Sequence, residues 1–341
     1  MMNAPLSSTP DTAVLAAYMR EQGITKAETV AVEKFAGGQS NPTFKVTAGN
    51  QNFVLRRKPV GPILPSAHAV DREYKVISAL GKVGFPVPKT YALCEDTAVL
   101  GSAFYIMDCV EGRIMWDQSL PGMSNDQRAA TYDEMNRVIA ALHKVDYAAA
   151  GLETYGKPGN YFARQIKRWT EQYRASETEN IDAMNELIAW LPQNIPAGDE
   201  SSIVHGDFRL DNMIFHPTEP RVLAVLDWEL STLGHPLGDF SYHCLSWYIP
   251  PEMFPGLKGV DIKSLGIPSM DEYVAAYCKR TGRAGIENWN FYMAFNMFRL
   301  AGIFQGIMKR ALDGSASSTK AMDRGKMARP VAEMGWKLIA G

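Results

Sequence analysis

The hydrophobic pattern of the chain changes period once, near residue 110, and that change limits the fold more than any other feature. Up to that point short β-prone runs dominate: ETVAVEKF (28–35), TFKVTA (43–48), NFVLRRK (52–58), TYALCE (90–95) and SAFYIMDCV (102–110). One helical stretch lies among them, SAHAVDREYKVISALGKVG (66–84), in which Val70, Tyr74, Ile77 and Leu80 recur at helical spacing and which the prolines of FPVPK end. Beyond residue 124 the pattern is mostly helical: SNDQRAATYDEMNRVIAALHKV with Ser124 as N-cap, then NYFARQIKRWTEQYRA and NIDAMNELIAWL. After a polar loop and the run RVLAVLDWE (221–229), helices resume, among them the almost uniformly apolar NWNFYMAFNMFRLAGIFQGIMKRAL of a buried central helix. A strand-rich front and a helix-rich remainder holding a small strand pair predict an α+β fold of two lobes, 1–108 and 109–341, joined near MDCVEGR.

Composition removes several classes of function. A chain of 341 residues, 46% hydrophobic and 21% charged, can bury a sizeable globular core. With 35 basic against 37 acidic side chains and no basic stripe interleaved with aromatics, nothing draws it to nucleic acid or to membrane surfaces. Cys94, Cys109, Cys244 and Cys278 lack paired spacing, MMNAPLSSTP lacks the apolar core of a signal peptide, and no apolar stretch approaches the roughly 18 residues of a membrane span. The expectation is a reduced, cytoplasmic chain without a metal–thiolate site. The oligomeric state is not legible.

The polar loop carries the chemistry. In IVHGDFRLDNMIF (203–215) apolar β-prone residues flank a His, two Asp, an Arg and an Asn, which reads as strand, rigidly held loop, strand. Such a loop is also ordinary structure, because Asp and Asn bond their own backbone. Asp207 and Asn212 are five residues apart and Asp227 lies 15 further on, after the apolar run VLAVL. An amide oxygen and a carboxylate from the last two could hold Mg²⁺, which takes few protein ligands beside substrate phosphates. Asp207 could then accept a proton from an attacking hydroxyl. Base, metal-ligating Asn and metal-ligating Asp after a strand is the order of parts in protein-kinase phosphoryl transfer, here with Gly206 in place of the Arg and Trp228 in place of the Phe.

At this point the chain resembles the aminoglycoside phosphotransferase and choline kinase branch of the kinase-like fold. It is most similar to the phosphotransferase domain of the acyl-CoA dehydrogenase family members ten and eleven and their free-standing bacterial relatives. FAGGQSNPTFKV, FVLRRKP, DREYKVISAL, FYIMDCVEGR, VHGDFRLDNMIF, VLDWELSTLGHPLGDFSY and RLAGIFQGI carry the resemblance, in consistent order over nearly the whole chain. It implies a bilobal fold with a small antiparallel-sheet lobe, a hinge at 107–112 and a larger helical lobe. It further implies Asp207 as catalytic base, Asn212 and Asp227 as Mg²⁺ ligands, and Gly37, Gly38, Gln39, Ser40 and Asn41 as the loop over the ATP phosphates. Arg56 takes the place of the strand-three Lys, with Glu73 as its partner. Met107 would lie near the adenine, and the backbone of Asp108, Cys109 and Val110 would bond its edge.

Arg in place of Lys is a departure, since the two differ in phosphate geometry, and it keeps a nucleotide-binding pseudokinase open. Arg57 and Lys58 are weaker candidates for that contact, because strand alternation turns Arg57 to the other face. His205 is expected to brace the loop and Asp239 to anchor it, while Asp211 is solvent-facing or an anchoring acceptor. His143 and His235 show no metal spacing. Arg299, interrupting the apolar helix, calls for a structural carboxylate or an anionic substrate group. The aromatic run SYHCLSWYIPPEMF favours an acceptor with an apolar chain over a polycationic aminoglycoside, and the kinship implies a hydroxyacyl-CoA. The reading is an ATP- and Mg²⁺-dependent phosphotransferase with an alcohol acceptor; an aminoglycoside or other small-molecule kinase is the alternative.

Overall fold

The computed structural model of the chain describes residues 9–35, 41–59, 68–316 and 318–341. Two compact units emerge. One comprises Met1–Arg113, Ala148–Tyr155 and Asn212–Ser231; the other comprises Ile114–Tyr147, Gly156–Asp211 and Thr232–Gly341. The first unit thus takes in more than the front lobe 1–108 read from the sequence. Together the two bear out the mixed architecture: an antiparallel sheet in one, helices dominating the other.

In the first unit, β1 (Ala31–Lys34), β2 (Thr43–Ala48), β3 (Gln51–Arg57), β4 (Thr90–Cys94) and β5 (Phe104–Asp108) form an antiparallel sheet in the order β1-β2-β3-β5-β4. Period-two alternation gives its faces different tasks. Phe44, Val46, Phe53, Leu55, Phe104 and Ile106 share one apolar face with Leu15, Ala16 and Met19 of α1 (Thr12–Glu21). This helix, capped by Asp11 through the N–H groups of Ala13 and Val14, was not expected. The other face carries Arg56 and Tyr105, directly paired across β3 and β5, and meets Glu73 of α2 (Val70–Lys82). Arg57 points to the apolar side, its guanidinium over Phe44 and donating to the Leu100 carbonyl of α3 (Thr97–Leu100).

The second unit is built on α4 (Asn125–His143), α5 (Tyr161–Ser176) and α6 (Asp182–Trp190), with Ser124 closing the predicted N-terminus of α4 in a capping box with Gln127. It continues with α7 (Pro236–His243), α8 (Met270–Thr281), α9 (Trp289–Leu312), α10 (Ala321–Gly325) and α11 (Ala328–Ala340). The first two-thirds of α9 is buried on nearly every side, as its composition predicts. Two strands flank the polar loop, β6 (Ser202–Val204) and β7 (Met213–Phe215), but they do not pair with each other. β6 pairs with β9 (Thr232–Gly234) inside the second unit, whereas β7 pairs with β8 (Val222–Val225) inside the first. The single strand pair read from the sequence is therefore two. Among the described residues no helix is long and apolar enough to cross a membrane.

Candidate active site

In the second unit the loop after β6 is held by its backbone. Asp239 of α7 accepts hydrogen bonds from the N–H groups of His205 (2.7 Å) and Gly206 (2.8 Å). His143 Nε2 donates to the same carboxylate at 3.2 Å, and its Nδ1 meets the Tyr277 hydroxyl at 2.7 Å. Burial by itself would raise the Asp239 carboxyl, but the bond and charge of His143, with His205, outweigh it and hold the pKa below the ordinary value. Gly206 turns the chain with φ +83°, a left-handed conformation that favours glycine.

The peptide joining Gly206 to Asp207 is gripped on both edges. Its carbonyl accepts from Arg299 Nη2 at 2.7 Å, and its N–H donates to His205 Nδ1 at 3.2 Å. Thus His205 braces the loop, but Arg299 finds a carbonyl oxygen and the rings of Trp169 and Tyr242 where the sequence called for a structural carboxylate or an anionic substrate group. The Asp207 side chain receives the Tyr242 hydroxyl on Oδ1 at 2.7 Å, with Arg209 Nε 3.0 Å from the same oxygen. Arg209 Nη2 also reaches Asp211 at 3.1 Å, so Asp211 is an anchoring acceptor.

In the first unit the β7–β8 register, Met213 opposite Val225, leaves Asn212 and Asp227 just beyond the same end of the ladder. Leu226 N–H closes that end by donating to the Asn212 carbonyl at 2.8 Å. Asp227 is left-handed (φ 63°, ψ 61°), a conformation that costs energy in a residue with a Cβ and concentrates at functional positions. Trp228 holds it there: its buried indole N–H donates to the Val225 carbonyl (2.9 Å) and its ring meets Phe85 edge to face. Tryptophan at the expected Phe position is thus an anchor.

Arg56 links these parts. Its Nε lies 2.8 Å from Glu73 Oε2, and its Nη2 donates to Asp227 Oδ1 at 2.8 Å and lies 3.4 Å from Glu229 Oε2. Glu73 accepts in addition from Asn41 Nδ2 (2.7 Å) and the Tyr105 hydroxyl (3.1 Å). One guanidinium therefore faces three carboxylates. Burial pushes the Glu73 carboxyl up; Arg56 opposes this, Asp227 adds to it, and the net shift is upward. Asn41 is committed to Glu73 and to His68 Nδ1–H (2.9 Å), while Gly37, Gly38, Gln39 and Ser40 lie outside the described residues.

At the end of β5, Met107 pairs with Val54 and Thr90 on the Arg56 face of the sheet. The N–H of Asp108 donates to the Lys89 carbonyl (2.8 Å) and that of Cys109, more weakly, to Asn52 (3.4 Å). Those two donors are occupied within the fold, which restricts the expected adenine contacts of this stretch to its carbonyls and Val110. A cavity of about 610 Å³ in the second unit, walled by Asn136, Lys263, Ile267, Glu272 and Tyr273, has none of the sequence-predicted site residues in its lining.

The model of the phosphotransferase enzyme family matches residues 31–290. Acyl-CoA dehydrogenase family member 10 of Mus musculus is 49% identical over 306 residues, 89% of this chain and 28% of that protein, so the chain spans less than a third of that relative. The crystal structure of a "putative aminoglycoside phosphotransferase" from Ralstonia eutropha JMP134 is 60% identical, covers 97% of this chain and 98% of its own, and superposes with a TM-score of 0.89. A thermostable mutant of aminoglycoside phosphotransferase APH(4)-Ia, in ternary complex with ADP and hygromycin B, shares the fold at 14% identity, with a TM-score of 0.63 over 97% of this chain and 100% of that one. By the match to the family model over most of its length, the chain belongs to the phosphotransferase enzyme family.

Proposed function

We propose that the chain transfers the γ-phosphoryl group of ATP to an alcohol on a small molecule, with a hydroxyacyl-CoA as acceptor. The observation that carries the reading is Arg56, ion-paired at once with Glu73 and Asp227: the departure from Lys preserves the strand-to-helix ion pair. With Asp207, Asn212 and Asp227 all present, this favours an enzyme over a pseudokinase.

The cluster suits a divalent cation. Three carboxylates against one guanidinium leave an excess of negative charge, which helps to push Glu73 up, and Asn212 and Asp227 supply the hard oxygen donors Mg²⁺ prefers. Held by those two residues, Mg²⁺ would neutralise charge between the phosphates. The chain's own groups do the rest. Arg56 presents a planar fork to phosphate oxygens. Asp207 orients the acceptor hydroxyl and takes its proton as the oxygen–phosphorus bond to the acceptor forms and that to ADP breaks. The ADP bound in the APH(4)-Ia complex supports nucleotide use.

The acceptor has a narrower basis than the sequence suggested. Much of the run SYHCLSWYIPPEMF is spent inside the second unit: Tyr242, Leu245 and Ile249 are buried, Trp247 bonds Pro268, and Tyr248 receives the Trp289 N–H. Hydroxyacyl-CoA therefore rests on the similarity to an acyl-CoA dehydrogenase family member. The test is Mg²⁺-dependent ADP release from ATP with 3- and 4-hydroxyacyl-CoAs beside kanamycin and choline, and Asp207→Asn as blank. Release with the hydroxyacyl-CoAs alone is expected; release with kanamycin or choline alone would replace the acceptor, and equal release by Asp207→Asn would remove the base.

A further inference from the structure

We infer that Tyr242 and Arg299 form a positioning pair that sets the Asp207 carboxylate, Tyr242 through its side chain and Arg299 through the preceding peptide. The inference rests on the reading of Asp207 as the base, and it concerns residues of the second unit alone.

Two elements supply the parts. On α7, Tyr242 follows Asp239 by three residues, so both face the same way. Asp239 takes the backbone N–H groups of the loop, and Tyr242 takes the side-chain oxygen of Asp207. From α9, Arg299 donates to the Gly206 carbonyl, the oxygen of the very peptide that leads into Asp207. Its guanidinium is buried, 4.9 Å from the Tyr242 ring and 5.6 Å from that of Trp169, and no ion pair to a carboxylate is formed by it among the described residues. The aromatic faces and the carbonyl dipole stand where a counter-ion would otherwise be needed.

One tyrosine thus has two attachments. Its ring carries the cation that fixes the Asp207 backbone, and its hydroxyl fixes rotation of the carboxyl group by occupying Oδ1. Arg209 Nε, near the same oxygen, reinforces the choice of which oxygen meets a hydroxyl. Among the charged and titratable groups facing Asp207 are Arg209 and Tyr242 on the carboxylate and Arg299 and His205 on the peptide. Burial, and the Asp207 charge after it, raise the Tyr242 phenol far above neutrality, so it remains a donor across the working pH range.

Tyr242→Phe keeps the ring over Arg299 and removes only the hydroxyl. We expect near-UV circular dichroism and the KM for ATP to be unchanged and kcat to fall about ten- to a hundred-fold, because a misaligned base loses orientation. The ¹³C resonance of the Asp207 carboxyl, assigned by its loss in Asp207→Asn, should move at fixed neutral pH once the Tyr242 hydroxyl no longer donates to it. Arg299→Lys should also lower kcat, and adding Tyr242→Phe to it should cost less than Tyr242→Phe costs alone, since both act through Asp207. An Asp207 carboxyl resonance and a kcat that are unchanged in Tyr242→Phe would overturn the inference, and independent, multiplying losses would overturn the pairing with Arg299. Should the unsubstituted protein release no ADP with any acceptor, the phosphotransferase reading fails, while the carboxyl resonance at fixed pH still decides whether Tyr242 sets Asp207.

Discussion

Arg56 is the residue at which the chain leaves the usual kinase pattern, and its neighbourhood explains how an arginine is accommodated there. Three carboxylates raise its already high pKa against a burial that would lower it. Removing the cation strands buried negative charge, whereas neutralising Glu73 relieves a carboxyl whose pKa is already pushed up. Arg56→Met should accordingly destabilise the first unit by about 3–5 kcal/mol, and Glu73→Gln by about 1 kcal/mol, in urea titrations at neutral pH. The opposite order would refute the charge balance described here. Asp227 offers a second comparison. Asn tolerates the left-handed backbone better than Ala, so Asp227→Asn should melt above Asp227→Ala. Both should lose Mg²⁺-dependent ATP binding in calorimetric titrations; retained binding would take Asp227 out of the metal site.

At the level of elements, α7 organises the loop that carries Asp207. All of its residues are buried, and besides Asp239 and Tyr242 it carries His243, whose Nδ1–H donates to the Phe208 carbonyl (3.1 Å) while Nε2 accepts from the Tyr273 hydroxyl (2.6 Å). Burial pushes this imidazole down to about 4 from 6.5, and His235 at the N-cap shifts likewise. The unfolded chain takes up these protons first, so the stabilisation is whole above about pH 6.5 and drains away as the pH falls towards 4. His243 alone should account for about 3 kcal/mol of that loss. His243→Gln should flatten the dependence of unfolding free energy on pH in this window; an unchanged slope would show that the ring is not held neutral.

The elements also show what the sequence makes legible. NFVLRR could be read correctly to the residue because a strand has period two: Arg56 and Arg57 had to face opposite ways. The helix α2 was legible for the same kind of reason, its apolar residues recurring at helical spacing, and α9 because it is apolar almost all round. By contrast α1 is ten residues with little amphipathic contrast, and β9 is three residues long. The partners of β6 and β7 are set by tertiary pairing, which local pattern does not encode. Likewise the motif names Asp207, Asn212 and Asp227, but that Arg299 would find a carbonyl 93 residues away, and Tyr242 the base itself, depends on how α7 and α9 pack.

For the whole molecule, the division into two units runs through the motif itself. The chain passes from the second unit to the first between Asp211 and Asn212, so HGDFRLD falls in the second unit and the pair Asn212 and Asp227 in the first. Family membership places the chain among phosphotransferases; the alcohol acceptor and the Mg²⁺ dependence are the claims left to experiment. The most direct measurement is ³¹P NMR of ATP, Mg²⁺ and a 4-hydroxyacyl-CoA incubated with the protein. The γ-phosphorus signal of ATP is expected to decline as a phosphomonoester signal on the acceptor rises in equal measure, and neither should change with Asp207→Asn. Loss of the γ signal with only inorganic phosphate appearing, or no change under conditions where the protein binds Mg-ATP and the acceptor, would contradict transfer to that alcohol.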